Sequence, residues 1–311
     1  VPAQDNYLEL STGLEIKTLI ETAREVLDEK KKLDVNLNVD TKEAVANIIR
    51  VGTSAGGQRA KAVIAYNETT GDIRSGQIEA PDGFSHWLIK LDGVTNNELG
   101  DPKHYGRIEY VYYLMARDAG IDMSECRLIE ENGRAHFMTK RFDRVNGNEK
   151  LHMQTLCGMA HYDYKMIHAY SYEQVFQVMR RLRLSYSDAE QMFRRMVFNV
   201  VARNQDDHTK NISFLMDRQG KWSLSPAYDV SWAYNPKGIW TSNHQMSINN
   251  KSDEITRDDL LSVARNVNIK HADQIIDQVI ESVSHWPDLA KEYGIPDDIE
   301  KAINSTLLLD M

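Results

Sequence analysis

Cysteine is scarce. Cys126 and Cys157 are the only two, far apart and in no metal-ligand spacing. They build no disulfide framework, and a reduced, cytoplasmic setting fits them best. Long hydrophobic runs are missing: no apolar stretch reaches the roughly 18 residues a membrane-crossing helix needs, and no signal-peptide pattern opens the chain. Positive charge is in deficit, with 37 Lys and Arg against 46 Asp and Glu and a net charge of −9. A nucleic-acid-binding face needs clustered Lys and Arg, so the balance argues against such a face as the main business of the chain. A small anionic ligand held by local donors stays open. Repeats, low-complexity tracts, the G-x-G-x-x-G and P-loop patterns and the G-x-S-x-G nucleophile turn are also absent. The first residue is Val1 rather than Met, which reads as processing or as a fragment of a longer protein.

What is present belongs to an ordinary globular protein. Of 311 residues, 41% are apolar and 27% charged, enough for two lobes with real cores. Residues 12–33 carry a helix period ending in a lysine-rich tail. Two β-like runs flank the glycine-rich stretch 52–57, and SHWLIKLDG over 85–93 is a further strand. Residues 106–119 read as a helix ended by Gly120, and 126–144 as a hairpin turning at Asn132-Gly133. Helical patterns dominate after that. One covers 172–184. The next is capped by Ser187 with Glu190 three residues on, its apolar face Met192, Phe193, Met196, Val197, Val200 and Val201. A hairpin turning at Arg218–Gly220 follows, then helices near 256–267, 271–285 and 297–309. The plan is α+β and two-lobed: a β-rich lobe over 1–140 and a mostly helical lobe over 141–311.

The polar stretch RNQDDHTKNISFLMD (203–217) raises the question of chemistry. Phosphoryl transfer needs a donor-rich cover for phosphates, a lysine, oxygen ligands for Mg²⁺ and a group that takes the hydroxyl proton. These parts occur in the order of a kinase. Asp206 and Asn211 have the D-x-x-x-x-N spacing, Asp206 as proton acceptor and Asn211 as a neutral oxygen ligand. Asp229, beyond the hairpin, is the anionic magnesium ligand, although Val230 and Ser231 follow it where a glycine is usual. Lys90 sits in an apolar strand with Glu109 on the next helix as its natural partner, or else guards a sheet edge. The loop with Thr53, Ser54 and Gly56 either cradles phosphate or is only a turn. His208 has no partner histidine at metal-binding spacing.

VGTSAGGQRAKAVIAYN, SHWLIKLDG, EYVYYLMARDAGI, MTKRFDR, HMQTLCG, DDHTKNISFLMD and LSPAYDVSWA together resemble the HipA family, the kinase toxins of bacterial HipA–HipB toxin–antitoxin pairs. The resemblance runs from about residue 40 onward. It implies a protein-kinase-like fold and a cytoplasmic Ser/Thr kinase using ATP and Mg²⁺. Within it, Asp206 matches the catalytic aspartate, Asn211 and Asp229 the magnesium ligands, and Lys90 the nucleotide-binding lysine. Lys140, Phe142 and Asp143 match the hinge that meets adenine and ribose, and His208 lies against the nucleotide. The regulatory autophosphorylation site falls at Thr53 or Ser54. The partner implied is a HipB-like helix-turn-helix antitoxin, and the substrate a translation component such as an aminoacyl-tRNA synthetase. The family's N-terminal subdomain of roughly a hundred residues has no counterpart in this sequence. Two other readings compete: a nucleotide-gated scaffold for a repressor, and a small-molecule phosphotransferase. In the latter, H-x-D is usual where this chain has Asn204.

Overall fold

The structure is a computed structural model that describes residues 59–76, 79–95, 104–131 and 133–311, with Ile16, Leu19 and Ile20. The glycine-rich loop, with Thr53, Ser54 and Gly56, lies outside the described residues. So does most of the expected helix 12–33; of it, Ile16, Leu19 and Ile20 are helical and the last two are buried. The chain separates into two compact units, Val1–Arg107 with Glu125–Lys150, and Ile108–Ser124 with Leu151–Met311. It therefore passes between units three times rather than once after residue 140.

The first unit is built on an antiparallel sheet ordered β2-β1-β3-β5-β4. Its strands are β1 (Arg59–Asn67), β2 (Ile73–Ser75), β3 (Phe84–Thr95), β4 (Cys126–Glu131) and β5 (Arg134–Lys140). Side chains alternate across a strand, and β3 obeys: Trp87, Ile89 and Leu91 are buried with Leu19, Ile20, Ala62, Ile64 and Met138 in one core. Lys90 points to the opposite face. It stands directly across from Lys61 on β1 and Phe137 on β5. Gly76 is required: a Cβ there would lie 2.7 Å from the Ile64 carbonyl carbon. A short ribbon of β6 (Arg144–Val145) and β7 (Glu149–Lys150) completes this unit.

The second unit holds most of α1 (Tyr105–Asp118) and then β8 (His152–Thr155), α2 (Leu156–Ala160), β9 (Tyr170–Ser171), α3 (Tyr172–Arg181), α4 (Tyr186–Val201), β10 (Ser213–Met216), β11 (Trp222–Leu224) and β12 (Met246–Ser247). Helices α5 (Arg257–Val267), α6 (Ala272–Ser284), α7 (Trp286–Glu292) and α8 (Asp297–Asn304) follow. Its three-stranded sheet runs β11-β10-β8, and β9 pairs with β12 in parallel. The expected apolar face of α4 is buried in full; each such side chain contributes about 1.5–3 kcal/mol. Tyr112 of α1 meets Phe198 and Trp286 edge-on at 6.1 and 5.6 Å, and its hydroxyl donates to the Ala202 carbonyl at 2.7 Å.

Two sequence expectations change. The capping box of α4 is Ser185 with Asp188, not Ser187 with Glu190. The Ser185 hydroxyl accepts from the Asp188 N–H at 3.1 Å, and an Asp188 oxygen accepts from the Ser185 N–H at 2.9 Å. Both frames have the box spacing. The one used lets the acid also accept from the Leu224 N–H of β11 at 3.1 Å. The last helix stops at Asn304 rather than 309 because the Leu308 N–H turns to the Val201 carbonyl at 2.9 Å, satisfying an end carbonyl of α4.

Candidate active site

Helix α4 delivers the chain into segment 203–211, where burial alternates. Gln205, Asp207 and Thr209 are buried; Asp206, His208 and Lys210 are half-exposed. This is a period of two written in polar residues. The outward side chains can meet a reactant, while the inward ones must find partners within the protein.

They do. Asp207 accepts from the Tyr172 hydroxyl at 2.8 Å, from His244 Nδ1 at 2.9 Å and from the Gln245 N–H at 2.7 Å. Tyr172 also receives Asn199 Nδ2 at 3.0 Å, and Asn204 donates to Asn199 at 2.9 Å. Burial, with the charge of Asp207 beside it, holds the Tyr172 phenol well above its usual range, so it remains a donor. Thr209 donates to the Tyr162 carbonyl at 3.2 Å.

On the outward side the Asp206 carboxylate is 49% exposed, and His208 Nε2 lies 3.7 Å from its Oδ1. Tyr164 meets the His208 ring edge-on at 5.6 Å, and the Lys210 ammonium sits 3.5 Å over the Tyr164 ring. Asn211 Nδ2 donates to the Asp206 carbonyl at 2.9 Å, tying the two ends of the D-x-x-x-x-N motif together. The β10–β11 hairpin then returns the chain to Tyr228. The Tyr228 hydroxyl donates to the Lys210 carbonyl at 2.6 Å and lies 2.5 Å from Ser213 Oγ. Asp229 follows with a left-handed backbone, φ 56°, a conformation Asp and Asn tolerate better than most residues.

Asn211 and Asp229 line one pocket together with Asp207, Asn199, Tyr228 and Arg195. Arg195 is buried, which lowers its guanidinium to about 10, and it donates to the Ser225 carbonyl at 2.7 Å. Among the described residues no group of three His, Cys, Asp or Glu forms a metal cage. The Asn211–Asp229 pair suits a hard cation that draws its other ligands from water and phosphate, as Mg²⁺ does.

In the first unit, Lys90 is buried with its ammonium 5.6 Å from the Phe137 ring. Glu109 is buried in α1, within the second unit. Lys140 lies on the Trp87 face, opposite to Lys90. Its ammonium is 3.0 Å from Glu68 and 3.7 Å from Glu125. Asp143 is clasped by Arg141 and Arg144, both at 2.6 Å. Burial alone would raise its carboxyl, but the two guanidinium groups prevail and hold it below the usual range. Phe142 between them is partly buried. From the sequence Asp207 has no assigned role and Tyr172 and His244 pass unremarked; Lys61, which could meet phosphates or merely be solvated, is buried on β1. The alternation of polar residues after α4 is the signal that marks Asp207 as inward.

The sequence profile of the HipA-like C-terminal domain matches residues 53–286. Two Sinorhizobium fredii proteins, Putative kinase Y4mE and Putative kinase Y4dM, are 26% and 25% identical to this chain over 152 and 216 residues. Those stretches are 46% and 64% of this chain but 33% and 50% of the relatives, so the chain spans a third to a half of their length. Among solved structures, a chain of the Shewanella oneidensis MR-1 complex of HipA, HipB and its operator DNA superposes with a TM-score of 0.65 at 14% identity. The superposition covers 97% of this chain and 71% of that one. The fold is accordingly α+β and kinase-like, and the chain belongs to the family of HipA-like C-terminal domains.

Proposed function

We propose that this chain is the core of an ATP- and Mg²⁺-dependent serine/threonine protein kinase. In this reading it is the toxin of a type II toxin–antitoxin pair, restrained by a HipB-like helix-turn-helix antitoxin. The observation that carries the reading is local. A half-exposed Asp206 is tied through its own carbonyl to Asn211, and Asn211 lines one pocket with Asp229. Asp206 is free enough of burial to meet an acceptor hydroxyl and take its proton as the oxygen attacks. Asn211 and Asp229 supply one neutral and one anionic oxygen for the cation. A Mg²⁺ ion held by these two residues would supply the charge neutralisation that phosphoryl transfer needs. Lys90, a buried cation on the sheet of the first unit, is assigned to the nucleotide phosphates by its match to the family.

The serine/threonine class, the toxin role and a translation component such as an aminoacyl-tRNA synthetase as substrate rest on family likeness. The net charge of −9 supports leaving DNA to the antitoxin. The test is direct. Purified protein with labelled ATP and Mg²⁺ is expected to label itself or a protein of a bacterial lysate at serine or threonine. A protein that binds ATP yet labels no protein contradicts the reading, and transfer only to metabolites replaces it with small-molecule phosphotransfer. Capture of a small helix-turn-helix protein by the chain checks the antitoxin.

A further inference from the structure

Segment 203–207 grips a second stretch of chain at several points. Ala233 N–H donates to the Arg203 carbonyl, and Gln205 N–H to the Ala233 carbonyl, both at 3.1 Å. The Gln205 side-chain amide, oriented by its neighbours, donates to the carbonyls of Thr241 at 3.0 Å and Ser242 at 3.2 Å. Its oxygen accepts from Arg203 Nη1 at 3.3 Å. Asp207 receives the backbone of Gln245 and the ring of His244. The Gln245 side chain in turn donates to the Trp240 carbonyl. Residues 233–245 are thus a strap held at both ends by the inward side of the segment whose outward side presents Asp206. The strap also closes on itself, Asn235 N–H to the Thr241 carbonyl at 3.0 Å. Its tip carries two exposed apolar side chains, Ile239 at 79% and Trp240 at 50%.

We infer that Asp207 is a positioning residue that holds strap 233–245, with the exposed Ile239 and Trp240 at its tip, in register with Asp206, so that an acceptor protein meets the strap and the proton acceptor in one geometry. The inference rests on the kinase reading above. The Asp207 side chain is fully buried, its three hydrogen bonds all made within the protein. It acts through the backbone of Gln245 and through His244. Replacing it by Asn leaves the volume but turns an N–H₂ group toward a donor, which forfeits at least one of its three hydrogen bonds and strands the partner.

The experiment compares the intact chain with Asp207→Asn and, as a milder version, Tyr172→Phe. Two quantities are read: the rate of tryptic cleavage after exposed Lys237 in the strap, followed by mass spectrometry, and the steady-state constants for ATP and for a phosphorylated acceptor protein. Cleavage after Lys237 is expected to speed up by about tenfold or more in Asp207→Asn. Tyr172→Phe should shift it in the same direction by less. Transfer should fall by a similar factor, through KM for the acceptor and kcat, with ATP affinity unchanged. Unchanged cleavage overturns the inference, as does loss of transfer matched by loss of ATP binding. Should Asp207→Asn fail to fold, Tyr172→Phe decides by the same readings. If the wild type transfers phosphate to no acceptor, the kinase reading fails, while cleavage after Lys237 still decides whether Asp207 holds the strap.

Discussion

Asp206 and Asp207 are neighbours in the chain and opposites in environment. The first has a carboxylate 49% exposed beside His208; the second is wholly buried, saturated by Tyr172, His244 and Gln245. A group that already accepts three hydrogen bonds has little left for a reactant, whereas a half-exposed one can approach a hydroxyl. The same side chain thus meets two opposite environments one residue apart.

Asp206→Ala is expected to lower phosphoryl transfer by about 10²–10⁴-fold, the usual worth of a positioned proton acceptor. Nucleotide affinity should change little, because in the proposed reading Asp206 acts on the acceptor's proton. Equilibrium ATP binding measured beside turnover checks this; parallel loss of both would reassign Asp206 to nucleotide binding.

Asp229 combines an unusual backbone with a ligand's chemistry. Asp229→Asn keeps the left-handed φ at little cost, so the melting temperature should hold. The missing anionic oxygen should raise the Mg²⁺ concentration for half-maximal transfer by about tenfold or more. Asp229→Ala should in addition lose about 1–2 kcal/mol of stability, since alanine resists that conformation. Thermal melts and Mg²⁺ titrations of the two variants separate backbone from ligand effects.

His136 makes stability depend on pH. It is buried in the first unit, its Nδ1 accepting from the Asp92 N–H at 2.9 Å. Burial, with a smaller contribution from Arg134, lowers the ring from 6.5 to about 4. Between these values the unfolded chain binds a proton that the folded chain refuses. The contribution is present above pH 6.5 and is lost as pH falls toward 4, about 2 kcal/mol between pH 7 and pH 5. Urea unfolding at the two pH values should show this difference, and His136→Asn should reduce it by the same amount.

The cap of α4 gives a clean contrast. Ser185→Ala should cost about 1 kcal/mol, whereas Ser187→Ala, which removes no cap, should stay within about 0.5 kcal/mol. Equal losses would mean that both serines share the cap.

Much of the second unit is legible in the sequence because its signals are short-range. The apolar face of α4 follows from a 3.6-residue period, and the β10–β11 hairpin from its turn residues. Helices α5 and α6 start and end within a residue or so of expectation. Short α7, opened by Pro287 after His285, is not legible, since so few residues carry no clear period. The spacing of Asp206 and Asn211, and the arrival of Asp229 after a hairpin, are likewise features of the linear chain.

By itself the sequence determined the longer helices, the strand that carries Lys90, the β10–β11 hairpin, the α4 face and the candidate acids, because period, turn chemistry and spacing are properties of adjacent residues. Only the tertiary structure decided which of two equal serines caps α4, and which of two equal aspartates is buried. It also put Lys140 on the face opposite to Lys90. The cap frame was settled by Leu224, 36 positions beyond Asp188. The fate of Asp207 was settled by Tyr172, 35 positions before it, and by His244, 37 after. A buried polar group must be paired to be tolerated, and its partners come from wherever the fold brings the chain together.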